Sequence, residues 1–155
     1  MFSLNLPHIN ANIRHEEKKD LVFDPLRKRY VTLTPEEWVR QHFVAFLITH
    51  RDYPASLIAN EMSISLNGMK RRCDSVVYNN NLKPLVIVEY KAPSVSISKN
   101  TFLQANAYTQ VLRVPYIFIS NGISHYCCKI DYLNNKYTFL PDIPSYKELI
   151  PPTAL

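Results

Sequence analysis

The chain has 155 residues, 46% of them hydrophobic and 20% charged, with a formal net charge of +5 and a pI near 9.1. These figures describe one folded domain over residues 1–155 with a sizeable core, and exclude a disordered or fibrous chain. Two glycines against eleven prolines exclude both G-x-G-x-x-G and P-loop phosphate cradles, while the basic excess favours an anionic partner such as nucleic acid without demanding one.

The start, "MFSLNLPHIN", lacks the basic head and apolar stretch of a signal peptide, and residues 1–20 read as an irregular lead-in ending in "RHEEKKD". "LVFDPLRKRYVTL" reads as a hairpin around Asp24-Pro25. "TPEEWVRQHFVAFLITH" then opens a helix with Thr34 as N-cap, Pro35 at the first helical position and Glu37 completing a capping box. Trp38, Val39, His42, Phe43, Phe46 and Leu47 recur at helical spacing, so this helix should lie on the core.

Three strands are expected next, over "SLIANEMSISL", "KRRCDSVVY" and "PLVIVEY". Asn67-Gly68 joins the first two as a strong hairpin signal, and the polar Asn79–Lys83 segment joins the second pair, giving an antiparallel meander. A second helix is expected from about Ser98 to Arg113, with Leu103, Ala107 and Val111 as its apolar stripe. "PYIFIS" follows as a buried strand, Asn121-Gly122 turns it into "ISHYCCKI", and Asn134-Asn135 leads to "KYTFL". The proline-rich tail, residues 141–155, is expected to wrap the surface. This order predicts an α/β fold with a mixed sheet flanked by helices, plus extra C-terminal hairpin strands.

The three cysteines, Cys73, Cys127 and Cys128, are an odd number with two adjacent, which argues against a disulfide framework and fits a reducing compartment. No CxxC suggests a zinc site, the five histidines have no metal-ligand spacing, and no run of about eighteen apolar residues could cross a membrane. The chain therefore reads as cytoplasmic with no membrane partner.

The acids carry the chemical signal. A two-residue turn at Asn67-Gly68 sets Glu61 opposite Asp74, and a second turn centred between Asn81 and Leu82 sets Asp74 opposite Glu89. Opposed residues share a face, so Glu61, Asp74 and Glu89 would form a row across three strands, with Lys91 on the same face. Like charges so placed repel, and Lys91 supplies only one compensating charge. Carboxylates with water and a phosphate oxygen are the ligand set of Mg²⁺. Taken singly, each acid reads as a solvated strand end; acid, hairpin and then E-x-K at the end of a buried strand is a far more specific pattern.

"RRCDSVVYNNNLKPLVIVEYKAP", with "TPEEWVRQ", "QANAY" and "PYIFISNG", resembles the PD-(D/E)xK nuclease superfamily, and in particular the N-terminal nuclease domain of type I restriction enzyme R subunits. The resemblance runs from about Leu21 to Ile130. It implies a restriction-endonuclease-like αβββαβ core and a Mg²⁺-dependent endodeoxyribonuclease, with Mn²⁺ as a substitute. Asp74, Glu89 and Lys91 would be catalytic, the two acids holding metal with Glu61 as an auxiliary ligand. Gln104 and Tyr108 match a supporting Q-x-x-x-Y element, whereas Glu37, which could match a first-helix acid, is already explained by its capping box. Cys73 stands where the named motif has proline. Lys70, Arg71 and Arg72 would contact DNA phosphates, unless they form only a solvated hairpin tip. A helicase/translocase or other restriction-system subunits would be further partners; the helicase motor that follows this domain in an R subunit is not within the 155 residues. Two other readings remain open at this level: a non-cleaving nucleic-acid-binding or accessory module, and a structural domain whose acids form ordinary salt bridges.

Overall fold

A computed structural model describes residues 3–151, apart from the side chains of Leu66, Met69, Ala107, Tyr108, Gln110 and Val111. Its local geometry begins where the sequence signals are strongest. The Thr34 hydroxyl accepts the Glu37 N–H at 3.1 Å, Pro35 takes the first helical position, and helix α1 runs Pro35–His50. Val39, Phe43 and Leu47 are fully buried along one face of α1.

Among the described residues, nine strands form two sheets. The smaller holds β1 (Ile13–His15), β2 (Asp20–Asp24) and β3 (Arg29–Thr32) in antiparallel order. Strand β1 lies inside the expected irregular lead-in, with Ile13 opposite Val22. Three residues are too few to display a period of two, so only the partner strand makes it visible.

The larger sheet has the order β4 (Ile58–Leu66), β5 (Met69–Tyr78), β6 (Pro84–Tyr90), β7 (Tyr116–Ser120), β8 (His125–Asp131) and β9 (Lys136–Phe139). Among the described strands, β6 and β7 alone run parallel; helix α2 (Lys99–Leu112), capped by Ser98, makes the crossover between them. Asn67 and Gly68 both have positive φ, 51° and 83°, as a tight type I′ hairpin turn requires. Leu66 therefore opposes Met69, and Ser75 opposes Val88 across the next turn, the registers expected from the sequence.

Strand β6 is apolar on both faces because both are covered. Val86 and Val88 pack with Phe43, Leu47 and Phe118 below α1, while Ile87 packs with Cys73, Val76 and Val114 on the opposite side. Cys127 and Cys128 are both buried and, like Cys73, free. The stripe expected on α2 is only partly described: Leu103 is half-exposed, and the Ala107 and Val111 side chains lie outside the described residues.

The tail corrects another expectation. Ile143, Tyr146 and Leu149 join the main core rather than wrapping its surface, and residues Tyr146–Leu149 form a short helix, α3. Tyr53 donates its hydroxyl to the Pro144 carbonyl at 2.9 Å, and Tyr146 donates to the Tyr78 carbonyl at 3.0 Å. Among the described residues no helix is long and apolar enough to cross a membrane.

Candidate active site

The sheet is interrupted on both sides of Asp74. Towards β4, Asn60–Ser75 and Met62–Cys73 are ladder pairs, but Glu61 between them adopts φ 55° and leaves the ladder. Towards β6 the pairing stops at Ser75–Val88. Beyond it the Tyr90 N–H donates to Asp74 Oδ2 at 2.9 Å, so a side chain accepts the main-chain donor. Strand β6 stays paired on its other edge, with Glu89 opposite Ile119 and the Lys91 N–H bonded to the Ser120 carbonyl at 2.9 Å. A buried strand thus delivers Glu89 and Lys91 to a gap that contains Asp74.

The electrostatics of this gap are tense. Burial first, and then repulsion from Asp74, push the Glu89 carboxyl up to about 8, although Arg71 and Lys91 pull the other way. Arg71 donates to Glu89 Oε1 and to the Ala105 carbonyl at 3.1 Å, tying the site to α2. Among the described residues, the Lys91 ammonium has no ion pair or hydrogen bond of its own. Two adjacent carboxyl groups whose burial and mutual repulsion Arg71 and Lys91 offset only in part fit a hard divalent cation, which takes one or two carboxylates and completes its shell with water and phosphate oxygens.

Glu61 is placed differently from its opposed neighbours. Its two oxygens accept from Arg40 at 2.6 Å and Arg72 at 2.7 Å. Burial alone would raise its pKa, but these two arginines hold it below the ordinary carboxylate value. Among the described residues no group of three His, Cys, Asp or Glu side chains is arranged to hold a metal, so the structure brings together Asp74, Glu89 and Lys91 and leaves Glu61 in an arginine pair. Lys70 and Gln104 are exposed, Arg72 is mostly exposed, and Arg71 is turned inward. The Tyr108 side chain lies outside the described residues.

Arg40 is the residue that sequence reasoning passed over, and Glu37 is one it assigned to a capping box. The Glu37 carboxylate does not close a capping box; it accepts from Arg27 at 2.6 Å, Arg40 at 3.1 Å and Gln41 at 2.9 Å in a buried cluster. Arg40 also donates to the Asp74 carbonyl. The signal was present in the spacing: positions 37, 40, 44 and 47 form one helical stripe, so Glu37 and Arg40 continue the buried line of Val44 and Leu47.

An apolar cleft of about 870 Å³ lies elsewhere, between α2 and β8–β9, lined by Phe102, Leu103, Tyr137 and Phe139 among others. It contains none of Asp74, Glu89 or Lys91. Converging titratable groups, rather than cavity size, identify the candidate site.

The sequence model of the family described as "Type I restriction enzyme R protein N terminus" matches residues 35–144. No curated protein matches the chain. Among solved structures, the chain is similar to a fragment assigned to the HsdR subunit of a type I restriction enzyme from Vibrio vulnificus, with a TM-score of 0.54 and 19% identity. The match covers 76% of this chain and 24% of that one, so the chain spans about a quarter of that fragment's length. The shared fold is restriction-endonuclease-like: α1, β4, β5, β6, α2 and β7 are its αβββαβ core.

Proposed function

The chain belongs to the family of type I restriction enzyme R protein N termini, and from that premise we propose that it is a metal-dependent endonuclease domain acting on DNA through Asp74, Glu89 and Lys91. The observation that carries this reading is the break in the sheet at Asp74, where two carboxylates meet beside an uncommitted lysine. Asp74 and Glu89 would hold Mg²⁺ or Mn²⁺ through their oxygens. When bound, such an ion polarises a phosphodiester and lowers the pKa of its water. The Lys91 ammonium orients the attacking water and offsets charge developing on the phosphate. Arg72 and Lys70, exposed on the β4–β5 hairpin, hold DNA through phosphate contacts that carry no sequence information. A helicase/translocase and other restriction-system subunits are the proposed protein partners.

One observation favours a second reading. Arg71 occupies a Glu89 oxygen from within the chain, as it would in an accessory module that binds nucleic acid without cleaving it. The test is nicking of supercoiled plasmid with Mg²⁺ or Mn²⁺ against EDTA, beside Asp74→Ala and Lys91→Ala. The nuclease reading expects metal-dependent nicking that falls at least about a hundredfold in both variants. Equal activity in wild type and both variants would dismiss these residues, and DNA binding without nicking would support the accessory module.

A further inference from the structure

Asp24 ends β2, outside the six-stranded sheet and outside the span matched by the family. It is 1% exposed, and a carboxylate at that depth needs donors. Its Oδ1 accepts the Leu26 N–H at 2.8 Å, while Oδ2 accepts from Arg27 and from Asn60, the latter at 3.0 Å.

Two hydrogen-bonded arms leave this carboxylate. The first passes from Arg27 to Glu37 at 2.6 Å, from Glu37 to Arg40 at 3.1 Å, and from Arg40 to the main-chain carbonyl of Asp74. In the second, Asn60 Oδ1 accepts from the Ser75 hydroxyl at 2.6 Å, and Ser75 accepts from the Tyr90 hydroxyl at 2.9 Å. The N–H of that same Tyr90 donates to Asp74 Oδ2. Both arms therefore end on Asp74, one on its carbonyl and one on its carboxylate. The Arg40 guanidinium also sits 5.6 Å from the centre of the Tyr90 ring, linking the arms to each other.

From this closed circuit we infer that Asp24 is a positioning residue for Asp74, and that the three-stranded sheet is a working part of the site. The role rests on the nuclease reading above. Asp74 has lost its ladder partners on both sides, so β-sheet hydrogen bonding no longer holds it in place. The circuit replaces that restraint, and its members are mostly buried, where satisfied polar networks rigidify what they hold. Supporting partners of this kind typically change metal affinity or activity about 10- to 100-fold when removed.

The experiment compares Asp24→Asn, Tyr90→Phe and Tyr53→Phe in the full chain by thermal unfolding, Mg²⁺ titration calorimetry and plasmid cleavage kinetics. Tyr53 is the control, a buried tyrosine whose hydroxyl donates to the Pro144 carbonyl and belongs to neither arm. Both tyrosine variants should lose stability, but only Tyr90→Phe should weaken Mg²⁺ binding, by about tenfold, with kcat falling and KM for DNA unchanged. Asp24→Asn should weaken it further. Should that variant fail to fold, Arg27→Met cuts the first arm at a more accessible position and should reproduce the loss. Wild-type metal affinity in folded Tyr90→Phe and Arg27→Met overturns the role of Asp24 while leaving the nuclease reading intact. A wild-type chain that neither binds metal nor cleaves overturns both.

Discussion

Glu89 concentrates the electrostatic cost of the site, because burial and the Asp74 carboxylate both oppose its ionisation. Its pKa moves from an ordinary 4.5 to about 8, so at pH 7 the folded chain holds a proton there that the unfolded chain releases. The resulting stability is fully present below the unfolded value and is lost as pH rises through about 8. Glu89→Gln should flatten that part of the stability–pH curve, measured by urea unfolding from pH 5 to 9. Metal needs the ionised form, so Mg²⁺ uptake at pH 7 should release about one proton. Calorimetry in two buffers of different ionisation heat reads that number, and an equal heat in both buffers would contradict it. At this scale Asp74, Glu89 and Lys91 were legible because strand parity and turn length bring them together. Asp24 and Arg40 were not, since their partners lie as far as 36 and 34 positions away along the chain.

Elements were read best where a local signal had one physical outcome. Asn67-Gly68 specifies its turn because both residues must take positive φ, and the turn then sets the register of β4 and β5. The Thr34 cap is equally local: Thr34→Ala should cost about 1 kcal/mol, read as a lower urea midpoint. Because α1 also carries Glu37 and Arg40, a larger loss would mean that fraying reaches the buried cluster. The interruption at Glu61 had no comparable signature. Its φ of 55° is unfavourable for a non-glycine residue, and it accompanies ion pairs from Arg40 on α1 and Arg72 on β5. Glu37 marks the limit of motif reading, since the same residue fits a capping box in sequence and serves as an ion-pair hub in space.

At the scale of the molecule, the C-terminal segment closes the core that α1 and the larger sheet begin. Tyr146 packs edge-on against Tyr53 with ring centres 5.5 Å apart, and is 7% exposed. Tyr146→Ala should cost about 3–5 kcal/mol, the usual range for truncating a buried aromatic residue, with little change in the urea m-value. A cost below about 1 kcal/mol would return this segment to the surface role its prolines suggested.

The sequence by itself determined the order of the elements from β2 to β9, the two hairpin registers and the meeting of Asp74 with Glu89. Hydrophobic period, turn chemistry and caps act over a few residues, so they can be read without knowing the rest of the chain. Only the tertiary structure decided that Glu61 pairs with arginines, that β1 exists, that the tail enters the core and that Asp24 is wired to Asp74. Each of those outcomes depends on burial and on which charged groups meet across distant segments, and spacing along the chain carries no record of either.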